Sequence, residues 1–161
     1  MKRMKTKQIA GMTLIELVIA MAILAILAAM VLPLAEVTVT RTKELELRRS
    51  LQVIRTAIDT YKEDYDKAVA EKKIFATVGE SGYPEELEIL LEGKDWGGLY
   101  PFKKKYLRRL PKDPFDRDDY GWGLRAYRDE ADSTVWGGED VFDVYSQSDA
   151  VALDGTSYRD W

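Results

Sequence analysis

The sequence predicts an α+β fold: one long N-terminal helix packed against a small antiparallel sheet. Three observations predict it. Residues 12–34 form an almost unbroken apolar run, and a polar-and-apolar helical pattern continues to about Ala70. Beyond it, glycine and proline break the chain into short pieces. The last third carries brief alternating runs rich in aromatic and β-branched residues, as short strands require.

The apolar run, 23 residues from Met12 to Leu34, is long enough as a helix to span roughly 30 Å of hydrocarbon. Four charges precede it, Lys2, Arg3, Lys5 and Lys7, and all are positive; the first charge after it is Glu36. This asymmetry places the N-terminus in the cytoplasm and the rest of the chain across the membrane. An ordinary secretory signal is the rival. Its apolar core is shorter and carries no acid, and here Ala20-Met21-Ala22, the one cleavage-like triplet, falls in mid-run. The acid is Glu16. A carboxylate at the edge of hydrocarbon costs about 2.5–3.5 kcal/mol on insertion scales, so it is expected either to meet a cation from another copy of the chain or to snorkel to the headgroups.

Helical periodicity continues past the run. Leu47, Leu51, Ile54, Ile58, Tyr61 and Tyr65 recur at alternating steps of four and three and form one apolar face. Arg41, Lys43, Glu44, Glu46, Arg48, Arg49, Arg55, Asp59 and Lys62 form the other. A helix from Met12 to about Ala70 measures roughly 88 Å at 1.5 Å per residue. Pro33 removes a backbone donor and crowds the preceding turn, so an interruption is expected there.

Lys72 to Tyr83 reads as a loop with Gly79 and Gly82 as breakers, followed by a short helix from Pro84 to Leu91. Proline and two acids open that helix, Gly93 closes it, and Leu87, Leu90 and Leu91 face the sheet. Lys103, Lys104, Lys105, Arg108 and Arg109 make a basic run, read as a solvated face or as a contact with a neighbour's acidic surface. The prolines of Leu110-Pro111-Lys112-Asp113-Pro114-Phe115 pin a turn. Three strands are expected after it: Tyr120–Arg128 with Tyr120, Trp122, Leu124 and Ala126 on one face; Val135-Trp136; and Val141–Ser146 with Phe142 and Val144 inward.

Composition narrows the function. The chain of 161 residues has a net charge of −4, and removing residues 1–11, with four basic and no acidic side chains, takes the balance to −8. An acidic domain argues against nucleic acid as a partner. There is no cysteine and no histidine. Disulfides, thiolate metal sites and covalent haem are therefore out, as is the usual general base. No nucleophile–base pair or phosphate loop emerges, so an anchored enzyme is disfavoured. The 17 aromatic residues suit an ordinary core rather than an electron-conducting stack. About 125 residues beyond the apolar run are enough for one modest core.

Gly11 followed by Met12-Thr13-Leu14-Ile15-Glu16, after a short basic leader, resembles the processing signal of type IV pilins and type II secretion pseudopilins. That resemblance implies that residues 1–11 are a leader cut off by a prepilin peptidase after Gly11. It implies that Met12 becomes an N-methylated terminus and that Glu16 pairs with that amine on a neighbouring subunit; Pro33 matches a proline common in these proteins. Residues 12–34 would form the transmembrane and filament-core helix, 35–72 its amphipathic continuation and 73–161 a globular head. The Leu110–Phe115 segment, the Tyr83-Pro84 helix start and the acidic C-terminal loop resemble the major pseudopilin. In that family the C-terminal loop commonly holds calcium, for which Asp149, Asp154, Asp160 and the Gln147 carbonyl are the matching candidates. Here the usual glycines of the loop are mostly missing and Arg159 adds a cation, so hydrogen bonds and Trp161 packing are the alternative closure. The implied function is a non-enzymatic subunit of a periplasmic pseudopilus, anchored in the bacterial inner membrane before assembly. Its growth would help push folded proteins through the outer membrane. The implied partners are further copies of the chain, prepilin peptidase, an inner-membrane assembly platform, a cytoplasmic ATPase and minor pseudopilins. The alternative within the resemblance is a major subunit of a surface type IV pilus.

Overall fold

The computed structural model describes residues 11–161, and the side chains of all of these except 30–34. Two units divide the chain, one ending at Val39 and the other comprising Thr40–Trp161. The elements run in the order α1 (Leu14–Ala70), α2 (Glu88–Glu92), β1 (Trp122–Arg125), β2 (Asp143–Ser146) and a 3-10 turn (Tyr158–Asp160). A long N-terminal helix and a small antiparallel sheet make the fold α+β, as the sequence predicts.

In the first unit every described side chain from Gly11 to Ala29 is exposed. Leu14 is 82 % exposed, Leu24 64 % and Ile26 60 %. A helix apolar on all sides gains nothing from standing in water; such a surface belongs in lipid or against other helices. Among the described residues no helix is long and apolar enough to cross a membrane. The backbone stays helical through position 33, without the interruption expected at Pro33.

In the second unit the helical stripe does what its spacing dictates. Leu47, Leu51, Ile54, Ile58, Tyr61 and Tyr65 are all buried, joined by Ala57 and Ala68. Against them pack Leu87, Leu90, Trp96, Leu107, Trp122, Val141, Val144 and Tyr158. Tyr61 meets the Trp96 ring edge-on at 4.9 Å and the Tyr106 ring at 5.4 Å. Burying side chains of this size contributes about 1.5–3 kcal/mol each, so the stripe is the backbone of the core.

Several expected elements are shorter or absent. The second helix is one turn, Glu88–Glu92, closed by Gly93 at φ 85°, and Leu91 is only partly buried. The sheet has two strands, with Trp122 opposite Ser146 and Leu124 opposite Val144. Tyr120 lies outside it, 74 % exposed. Val135-Trp136 forms no strand. The Trp136 indole donates instead to the Asp140 carbonyl at 2.7 Å, and the Asp129 carboxylate accepts from the amides of Ala126 and Gly137. The Ser133 hydroxyl accepts the Val135 amide at 3.2 Å and donates to the Val135 carbonyl at 2.8 Å, so a local side chain satisfies the backbone groups that a ladder would have used. Val141 rather than Phe142 faces inward, and Phe142 stays 41 % exposed. Gly123 sits directly under Tyr145, where a Cβ would come within 2.3 Å of the ring; only glycine lets the two strands close there.

Candidate processing and assembly site

Residues 11–13 are not helical, and α1 begins at Leu14. Thr13 sets that start. Its hydroxyl accepts the amide of Glu16 at 3.3 Å and its carbonyl accepts the amide of Leu17 at 3.1 Å. This is the N-cap geometry, in which a threonine side chain satisfies one of the orphan donors of the first turn. Glu16 lies at the third helical position, where an acid also faces the positive end of the helix dipole.

The peptide bond between Gly11 and Met12 therefore lies in exposed, non-helical chain one residue before the cap. No heavy atom beyond its chain neighbours stands within 4 Å of where a Cβ at Gly11 would be, and Met12 is 68 % exposed. Proteolytic cleavage needs such backbone, free of ladder hydrogen bonds. Glu16 is exposed and forms no ion pair with any described residue of its own chain. Among the described residues the carboxylate is left without an ion pair. The structure thus groups Gly11, Met12 and Glu16 within two turns; the Pro33 side chain lies outside the described residues.

The four residues matched to calcium do not converge. Gln147 and Asp149 line one cleft, with Asp116 and Asp118. Asp154 and Asp160 line another, beside Arg48 and Arg55. Asp149 is bonded to Arg159 at 2.6 Å, and Asp154 accepts the Thr156 amide and hydroxyl at 3.0 and 2.6 Å. Those hydrogen bonds hold the Asp154 carboxyl below its ordinary range. No group of three or more acidic side chains among the described residues is placed to hold a metal ion. The donor set as arranged does not fit a site that demands six to eight oxygens.

One polar constellation escapes sequence reading. Asp64, only 5 % exposed, receives Lys104 Nζ at 2.6 Å and the hydroxyls of Tyr106 and Tyr100 at 2.6 and 2.7 Å. The Trp96 indole donates to Tyr106 Oη at 2.7 Å. Burial alone would raise the Asp64 pKa, but the bonds from Lys104, Tyr106 and Tyr100 outweigh it and hold the group below 3.8. Burial and the bond to Asp64 together push the Tyr106 phenol up. The network ties the segment after α2 to α1. The available signal was that positions 61, 64, 65 and 68 share one helix face, so an acid at 64 falls among buried residues and needs partners.

No curated protein and no solved structure matches the chain. Residues 6–32 match the family described as the prokaryotic N-terminal methylation motif, the interval that contains Gly11, Met12, the Thr13 cap and Glu16. The chain carries, across the start of its long helix, the methylation signal that marks type IV pilin-like proteins and implies processing by a prepilin peptidase and assembly into a filament.

Proposed function

We propose that this chain is the major pseudopilin of a type II secretion system, a structural subunit whose periplasmic filament helps move folded proteins towards the outer membrane. One observation supports the filament reading above the others. An accessible Gly11–Met12 bond leads directly into a capped helix whose first stretch, residues 14–29, is apolar but for Glu16, and that acid forms no ion pair with any described residue of its own chain. Cleavage there would create a cationic amine at Met12, and methylation keeps its charge. Two neighbouring copies could then neutralise amine against Glu16, each group being costly alone in an apolar bundle.

The narrower reading, pseudopilus rather than surface pilus, rests on resemblance: the Leu110–Phe115 segment and the acidic, cysteine-free C-terminal region. In it the inner-membrane platform, the cytoplasmic ATPase and minor pseudopilins are partners, and the subunit catalyses no reaction of its own. Mass analysis of the purified protein tests the processing step. The expected N-terminus is Met12 carrying one extra methyl; a start at Ile23 or later would mean a conventional signal peptide. Electron microscopy of intact cells at native expression tests the narrower reading. Periplasmic filaments without surface fibres are expected, and abundant surface fibres would make the chain a pilus subunit.

A further inference from the structure

We propose that the C-terminal segment, residues 147–161, is fastened to α1 by a metal-free latch made of Glu44, Arg48 and Arg55. The three lie at helix steps of four and seven, so α1 presents them on one side. Glu44 Oε1 accepts the Leu153 amide at 2.7 Å and the Tyr158 hydroxyl at 3.0 Å. The Arg48 guanidinium lies 3.8 Å from the centre of the Trp161 ring and 3.5 Å from Asp154 Oδ2. Arg55 donates to Asp143 at 2.6 and 3.3 Å, to the Val144 carbonyl at 3.0 Å and to the Trp161 carbonyl at 2.8 Å. It thereby ties β2 and the last residue to the same side of the helix.

Within the segment other side chains are held by the chain itself, though Arg159 Nε is buried without a hydrogen-bond partner. Arg159 holds Asp149, and the Trp161 indole donates to the Thr156 hydroxyl at 2.7 Å. Tyr158 stacks on Phe115 at 4.0 Å and meets Trp161 edge-on at 5.0 Å. A divalent ion would have to displace Arg159 from Asp149, or sit beside Arg48 at Asp154. Two fixed cations already occupy the electrostatic role that a metal would fill. Arginine suits this work better than lysine, because its planar fork stacks on an indole and reaches several acceptors at once.

The test uses the full chain in detergent, so it stands whether or not filaments form. Thermal unfolding is compared in chelator and in excess calcium, and hydrogen exchange is followed over residues 150–161. Wild type should melt at the same temperature in both media. A true calcium site, saturated a hundredfold, would raise the midpoint by about 5–10 °C, and that result overturns the latch. Arg48→Ala should speed exchange of the segment about five- to tenfold, the sum of one exposed cation–π contact and one exposed ion pair. Arg48→Lys should recover only part of the protection, and Arg49→Ala, at the exposed neighbouring position, should change nothing. Wild-type exchange rates in Arg48→Ala would equally refute the proposal.

Discussion

Two stretches of the same helix, residues 14–29 and 40–70, use the same backbone for opposite ends. In the first, leucine, isoleucine, valine and alanine cover every side and all of the side chains are exposed. In the second, apolar residues keep to one stripe and bury it under the head's own loops and strands. The first stretch is unfinished within one chain; the second is complete. A uniform apolar surface addresses lipid or other copies, whereas a one-sided stripe addresses the chain's own core.

The comparison can be broken or sharpened by substitution. The largest effect is expected from Glu16→Ala: insertion and head melting unchanged, filament assembly abolished. Normal filaments by electron microscopy would contradict the pairing of Glu16 with a neighbour's amine. Next, Asp64→Ala should cost the head about 3–5 kcal/mol, because Lys104 and two phenols lose a buried partner; a midpoint shift measured by calorimetry would report it. Ile54→Ala should cost about 2–5 kcal/mol. Leu24→Ala, a similar truncation in the exposed stretch, should leave the head's melting unmoved. If both shifted it equally, the division of labour along the helix would be wrong.

Asp64 also fixes a pH dependence. Its folded pKa lies below the ordinary 3.8, so its contribution to stability is complete above that value. It is lost as pH falls through the lower folded value. Lys104, raised above 10.5 mainly by Asp64 against the opposing effect of burial, contributes below 10.5 and loses its share as pH rises past the folded value. Denaturant midpoints measured across the acid limb should fall less steeply in Asp64→Asn than in wild type. The smallest effect belongs to Thr13→Ala, which removes the helix cap at about 1 kcal/mol. Circular dichroism of the detergent-solubilised chain would show slight fraying and no change in the head.

What the sequence made legible was whatever depended on periodicity. The stripe from Leu47 to Tyr65 was readable because a helix repeats its faces, and Trp122 and Val144 because strands alternate. What stayed hidden depended on contacts far apart in the chain. Arg125, buried in β1, finds the Ser133 carbonyl and Asp143. Asp64 finds a lysine forty residues away. Glu44, Arg55 and Lys62 were placed on the helix face opposite the apolar stripe, yet all three are half-buried under the head's segments or against its rings. The false strand at Val135-Trp136 had the right composition, but the neighbouring Ser133 hydroxyl offered its backbone a closer partner. At the N-terminus, Gly11, Met12 and Glu16 were legible as a motif, while the role of Thr13 needed coordinates.

The Thr13 cap has a consequence for timing. Because the helix is already sealed at Leu14, scission two residues upstream removes no hydrogen bond from it and requires no unwinding. The enzyme meets a rod whose first turn is already closed. Its cut changes only the electrical character of the tip, turning a neutral link into a positive end one turn from an acid. Maturation would then act as an ignition step, leaving the shape untouched while making each unit attractive to the next.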